Sequence, residues 1–272
     1  MIETRPSSQP QSLAGMIARS VLSQSSAEQR LELAKIWIAI SRHRSLDLCR
    51  LPARLTAGAD VARIQKLRRT MADIVDCDPE SAAKYADYNY WIPFNVARIG
   101  NLALHNSKPL RILDVGCGPG YFMAGALACR HECYGIDAPA GVLTEVEARV
   151  YSQLLAALSC SDRVSPVLIE RFKPMPLSQR DLDLITAFWI CFNRHQQPDE
   201  WGVAEWRFWI DDALSHVADG GTIHLELNSH RARYHELEWY DRETLDYFLS
   251  IGSVRRNVVR IVKGKPPEWK SA

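Results

Sequence analysis

The chain has 272 residues, 47% hydrophobic and 24% charged, with a formal net charge of +1. That is enough chain to bury a full core, and the near-neutral balance argues against a dedicated nucleic-acid binder, which carries a basic excess. Seven cysteines are an odd number and no basic, apolar, cleavable leader opens the sequence, so a reduced cytoplasmic compartment is the simplest reading; no apolar run reaches the roughly 20 residues that cross a bilayer.

Residues 1–12, rich in Ser, Pro and Gln, predict a mobile lead. Leu33, Ile36, Trp37 and Ile40 recur at helical spacing and predict an amphipathic helix over Ala27–Ile40. A second helix is predicted from Asp60 to about Val75, with Val61, Ile64, Leu67, Met71 and Ile74 on one face; its Arg63, Lys66, Arg68 and Arg69 read as a solvated face rather than a nucleic-acid site. The next stretch is dense in aromatics: Tyr85, Tyr88, Tyr90, Trp91 and Phe94. Pro93 suits the first turn of a helix carrying Val96, Ile99, Leu102 and Leu104. Two readings of these rings stand side by side. They pack the helical part onto the rest of the chain, or they form a lid whose faces attract a ligand cation and whose hydroxyls, on Tyr88 and Tyr90, orient a substrate.

The stretch Leu110–Phe122 gives the clearest chemical signal. Leu110, Ile112, Leu113 and Val115 favour a buried strand, and Gly116, Gly118 and Gly120 then lead into a helix near Tyr121. Glycines allow positive φ in a tight strand-to-helix turn and let a ligand approach the backbone. Dinucleotide-binding turns follow G-x-G-x-x-G, placing a pyrophosphate on the helix N-terminus. Here Tyr121 stands where the last of those glycines belongs, and Asp114 would repel a phosphate while suiting an ammonium group. Cys133–Asp137 predicts a short strand ending on an acid that can accept both hydroxyls of a ribose; a helix N-cap before Gly141 is its competing role.

Asp-x-Gly-x-Gly-x-Gly followed by a second acidic strand end resembles the class I S-adenosylmethionine-dependent methyltransferases. The resemblance spans residues 108–262. It implies an α/β fold, a Rossmann-like doubly wound and mostly parallel sheet, and it implies S-adenosyl-L-methionine as cofactor, held by Asp114, Gly116, Cys117, Gly118, Gly120, Asp137 and Ala138. It also implies an adenine contact after the third strand, Val164–Ile169, where Phe172 is the candidate. Residues 1–107 are then a helical extension or lid, and 108–272 the cofactor-binding domain.

A fourth strand, Asp183–Phe188, leads into a loop carrying Asn193, Arg194 and His195, where a doubly wound sheet places its active site. A helix over Ala204–Val217 stops at the glycine pair Gly220 and Gly221, and a fifth strand, Thr222–Asn228, delivers Asn228 and His230 to the same edge. A helix from Arg242 to Leu249 precedes one strand, Val254–Val262, although the resemblance implies two strands at this end. Cys129, His131 and Cys133 have no second ligand pair at metal-binding spacing, and Thr186 and Ala187 stand where a magnesium-dependent relative would carry acids. These readings predict metal-independent methyl transfer to oxygen or nitrogen of a small molecule, with His195 or His230 as catalytic base and Tyr88, Tyr90, Trp91 and Asn193 facing the acceptor. A non-catalytic cofactor-binding partner protein, a protein methyltransferase and a homodimer stay open; nucleic-acid and membrane partners are not expected.

Overall fold

Apolar strand runs alternating with amphipathic helices from residue 111 onward build one seven-stranded sheet in this computed structural model, which describes residues 26–78, 81–190, 201–228, 237 and 240–265. The strands are β1 (Arg111–Val115), β2 (Glu132–Asp137), β3 (Val164–Pro166), β4 (Leu182–Phe188), β5 (Val217–Glu226), β6 (Ser253–Arg255) and β7 (Val258–Val262). Their order is β3-β2-β1-β4-β5-β7-β6. Every neighbouring pair is parallel except β5–β7 and β6–β7. The order reverses between β1 and β4, so the predicted Rossmann-like doubly wound, mostly parallel sheet is present, with its switch point beside the glycine turn.

Helices α1 (Ala27–Arg42), α2 (Leu46–Gly58), α3 (Val61–Thr70), α4 (Ala72–Cys77) and α5 (Tyr88–Asn101) precede β1; α6 (Tyr121–Ala128), α7 (Glu145–Ala157), α8 (Val203–His216) and α9 (Arg242–Ile251) follow it. Local polar groups set their starts. Ser26, Ser45, Asp60, Thr144 and Asp241 each accept a first-turn amide of the helix they cap, and Glu147 completes a capping box with Thr144. Thr144 therefore caps α7, and Asp137 is released from its competing role as a cap.

Two apolar clusters cover the two faces of the sheet. On one, Leu33, Trp37 and Ile40 of α1 join Leu48 and Leu51 of α2, Val96 and Ile99 of α5, Met123 of α6 and Leu154 of α7 against Ile112 and Leu184. On the other, Trp206 and Trp209 of α8 and Phe248 of α9 pack against Leu113, Ile185 and Ile223. The helices before β1 thus share a core with the sheet, each fully buried large side chain stabilising the fold by about 1.5–3 kcal/mol.

Several predicted boundaries are corrected. The helix predicted over Asp60–Val75 breaks at Met71, whose φ of −112° and ψ of 2° separate α3 from α4. Helix α2 has no predicted counterpart, because Pro52 interrupts the pattern in its middle. Pro93 lies inside α5 rather than in its first turn, the helix starting at Tyr88. The third strand stops at Pro166. The final strand divides at Arg256, where φ is +55°, so the sheet ends in the two strands that the resemblance implied. The charged edge is β6, while β7 is interior.

The glycine pair does not stop α8. The helix leaves directly through Val217, and both glycines lie within β5, where the register jumps from Val217 opposite Leu182 to Thr222 opposite Leu184. A Cβ on Gly221 would lie 2.9 Å from the Leu182 carbonyl oxygen and 3.0 Å from that of Ala218. Gly221→Ala is expected to lower the free energy of unfolding in urea by about 1–3 kcal/mol, since backbone carbonyls cannot yield as a side chain would; an unchanged midpoint would show that the bulge adapts.

Candidate functional site

The turn after β1 is built as its glycines require: φ is +69° at Gly116, +50° at Gly118 and +79° at Gly120. Its amides, however, do not face outward. Gly116 and Cys117 both donate to the Ile136 carbonyl, at 2.9 and 3.1 Å, Gly118 donates to Asp137 Oδ2, and Gly120 donates to the Cys117 carbonyl at 3.1 Å. Residue 119 is proline and has no N–H. Every amide from 116 to 120 is therefore spent on β2 or within the turn, leaving none of them to cradle a phosphate.

Asp137 Oδ1 also accepts from the Ala138 amide at 2.7 Å. Burial pushes the Asp137 carboxyl up from the usual range, against these two backbone bonds that pull it down. Each oxygen keeps a lone pair, so the partly buried carboxylate can still accept hydroxyl donors. The space above the turn has definite walls. A Cβ on Gly116 would meet Ile190 Cγ1 at 3.6 Å and one on Gly118 would meet Tyr151 Cζ at 3.8 Å.

From Tyr151 a chain of rings runs along the site. Tyr151 and Tyr85 lie 5.9 Å apart, Tyr85 and Trp91 4.5 Å, Trp91 and Phe94 5.5 Å, and Phe94 and Trp189 5.3 Å. The Trp91 indole donates to the Lys84 carbonyl at 3.0 Å, and Tyr90 stacks on Phe94 at 5.9 Å. Tyr88 faces α3, receiving a long 3.5 Å contact from Gln65 Nε2. Tyr121, the residue that breaks the dinucleotide motif, is buried and donates its hydroxyl to the Tyr85 carbonyl at 2.8 Å, fastening the aromatic segment to the glycine turn.

Asp114 is 2% exposed and lies in a row across the sheet, Gly135–Asp114–Thr186–His224–Arg260, all directly opposite one another. Thr186 donates its hydroxyl to Asp114 Oδ1 at 2.7 Å, a role that the sequence pattern did not suggest. Burial pushes the Asp114 carboxyl up to about 7; the Thr186 bond and Arg98 pull it down and Asp137 pushes it up. Burial drives His224 the other way, down to about 4. Beyond this row, Arg98 of α5 pairs with Glu226 at 3.0 Å, and Asn228 Nδ2 holds the Trp189 carbonyl at 3.0 Å, with Trp189 itself at φ +55°. A bulky residue held in that region is the kind of strain that clusters at functional sites.

The remaining predicted residues have the following surroundings. Phe172, 54% exposed, lies against Phe208 of α8 with centroids 5.9 Å apart, and its neighbour Arg171 pairs with Glu205 of the same helix. Both His131 ring nitrogens are taken by backbone, Nδ1 by the Leu110 amide at 3.1 Å and Nε2 by the Leu104 carbonyl at 2.9 Å, so it is a structural residue. Asn193, Arg194, His195 and His230 lie outside the described residues. Arg63, Lys66, Arg68 and Arg69 are exposed, as predicted. A cavity of about 410 Å³ lined by Leu110, Arg111, Arg130 and His131 sits at the opposite end of β1, away from the carboxyl edge where doubly wound sheets bind ligands. No helix among the described residues is long and apolar enough to cross a membrane.

Tyr85, Tyr151, Ile190, Arg98 and Glu226 were not among the predicted site residues. Arg98 could have been found as a lone charge between Val96 and Ile99, four residues after Phe94, and Glu226 as a charge alternating with Leu225 and Leu227.

No family model and no curated protein matches the sequence. Among solved structures, the chain is similar to the glycopeptide N-methyltransferase MtfA complexed with S-adenosyl-L-homocysteine, at 16% identity and TM-score 0.36, over 50% of this chain and 49% of that one. It is similar to CalS10, an amino pentose methyltransferase from Micromonospora echinaspora, at 21% identity and TM-score 0.35, over 51% of each chain. A third is an S-adenosylmethionine-dependent methyltransferase from Clostridium acetobutylicum, at 16% identity and TM-score 0.37, over 62% of this chain and 59% of that one. The chain spans about half the length of the first two and somewhat more of the third.

The Asp114 carboxyl gives a signed prediction. Its unfolded value is near 3.9, so between about pH 4 and 7 the native state holds the extra proton and Asp114 lowers stability as pH rises, by up to about 1.4 kcal/mol per unit. Asp114→Asn removes that slope, while the opposing slope of His224 is common to both proteins and cancels. Urea unfolding at pH 4.5 and 7.5 is expected to show the variant gaining on the native sequence by about 2–4 kcal/mol over that interval; a difference independent of pH would contradict the burial of an ionisable carboxyl there.

Proposed function

We propose that the chain is an S-adenosyl-L-methionine-dependent methyltransferase acting without a metal on a small-molecule acceptor, at oxygen or nitrogen. The observation that carries this reading is the glycine turn whose amides are all consumed internally while Asp137 stands at its rim. A dinucleotide's pyrophosphate sits against the start of the following helix, and its motif keeps a glycine where the buried Tyr121 stands here. An adenosine without phosphate needs room at the glycines, an acceptor for ribose hydroxyls and a site free of excess positive charge, and Gly116, Gly118, Asp137 and Asp114 supply these.

When bound, the cofactor supplies an electrophilic methyl group on a sulfonium. The protein's part is positioning and exclusion of water. Asp137 fixes the ribose, with Ala138 and Cys117 beside it; Ile190 and Tyr151 close the sides, and Tyr85 and Trp91 extend an apolar wall along which Tyr90 and Phe94 continue. Aromatic faces there favour a cation over an anion. Phe172 as adenine contact, Tyr88 and Asn193 as acceptor contacts, and His195 or His230 as the base that removes an acceptor proton are parts of this proposal. The helical part up to residue 107 acts as the cover of the site, and residues 108–272 as the cofactor-binding part. A cytoplasmic location belongs to the same proposal, on the odd number of cysteines in the sequence.

Asp137→Ala is expected to weaken S-adenosylmethionine binding at least tenfold in calorimetric titration, each charge-assisted hydrogen bond to the ribose being worth about 1.5–3 kcal/mol. An unchanged dissociation constant, with the fold intact by circular dichroism, would refute the ribose role.

A further inference from the structure

The Arg98 side chain is 11% exposed and is boxed by three rings, its Cζ lying 4.7 Å from the centroid of Phe94, 4.2 Å from Phe188 and 4.5 Å from Trp189. Its Nε donates to Glu226 Oε2 at 3.0 Å and Nη1 to Asn95 Oδ1 at 3.3 Å. Nη2 is buried and has no hydrogen-bond partner among the described residues. A purely structural pair would present Nε and Nη2 together to one carboxylate in the side-on geometry that arginine favours. Glu226 takes Nε and leaves its neighbour bare.

The place of this donor is informative. Phe188 ends β4 and Glu226 ends β5, so Arg98 stands over the carboxyl edge beyond the switch point, two to three strands from Asp137. With a ribose held at Asp137, the reacting end of the cofactor and the acceptor lie on this side. We infer that Arg98 holds a carboxylate of the bound ligand through Nη2. A carboxylate gives the shortest and strongest bond to guanidinium. Glu226 already neutralises Arg98, so the incoming anion is balanced by the cofactor's own cations, the ammonium beside its carboxylate and, in the methyl donor, the sulfonium, and this part of the inference rests on the reading above. Two sources carry that group: the amino-acid end of the cofactor, or an acceptor that is itself a carboxylic acid, which for the aromatic box would be an aromatic one.

Calorimetry on the full chain separates them with three probes: S-adenosylhomocysteine, which has the carboxylate; 5′-methylthioadenosine, which lacks it; and benzoate added to the protein loaded with S-adenosylmethionine. Arg98→Lys keeps the charge and stem but removes the planar fork. If the cofactor is the source, this variant binds S-adenosylhomocysteine about tenfold more weakly and methylthioadenosine as before. If the acceptor is the source, S-adenosylhomocysteine affinity is unchanged and benzoate binding is lost. Glu226→Gln, which removes the neighbouring anion and keeps its shape, tightens whichever carboxylate Arg98 holds by a few-fold; a merely structural pair would give no such gain, and this variant serves if Arg98→Lys fails to fold. Unchanged S-adenosylhomocysteine affinity in Arg98→Lys together with no benzoate binding to the native chain overturns the inference, as does looser binding in Glu226→Gln. A native chain that binds neither adenosine ligand sinks the methyltransferase reading instead, and benzoate on the free protein then tests Arg98 alone.

Discussion

The backbone amides of the glycine turn are tied to β2, and most of the site follows from that constraint. Two amides share the Ile136 carbonyl and a third is taken by the Asp137 carboxylate. The turn can close this tightly only because Gly116, Gly118 and Gly120 adopt positive φ, and only because β1 and β2 are parallel neighbours that end side by side. The same contact that shapes the turn aims the acid. Its cost is a carboxylate half withdrawn from water, offset by two backbone donors.

Around this knot the protein places its charges unusually deep. Asp114, Thr186 and His224 form a polar row across one face of an otherwise apolar sheet, covered by α5 and its neighbours. Burial shifts both titratable members towards their neutral forms, Asp114 upward and His224 downward. At the end of β4 the chain is held in a strained conformation at Trp189, clamped by Asn228, so the strand edge is fixed where a reacting group would stand. Tyr121 links these parts, because its hydroxyl reaches the segment that supplies Tyr85 and Trp91.

What could be read in the sequence was what depends on neighbours along the chain. The strand, the glycine turn and the acid at the end of β2 are local patterns, and each appears where predicted. The open, mostly parallel sheet followed from the alternation of strands and helices, whereas its strand order is set by contacts between strands. Features that depend on cross-strand or cross-layer contact were not legible: Thr186 beneath Asp114, Tyr151 over Gly118 and Arg98 against Glu226 join residues 33 to 128 positions apart. Misplaced boundaries have local physical reasons. Pro52 inside α2 masks a helix that tertiary packing stabilises, Pro93 inside α5 reads as the helix start, and Gly220 and Gly221 read as a helix stop when they serve a bulge in β5.

On the function proposed above, the turn is made for an adenosine bearing a sulfonium amino acid and not for a dinucleotide. Direct titration of the native chain with S-adenosylmethionine and, separately, with NADH decides it. Saturable binding of S-adenosylmethionine at micromolar levels is expected, and none of NADH at tenfold higher concentration. Saturable NADH binding without S-adenosylmethionine binding would contradict it.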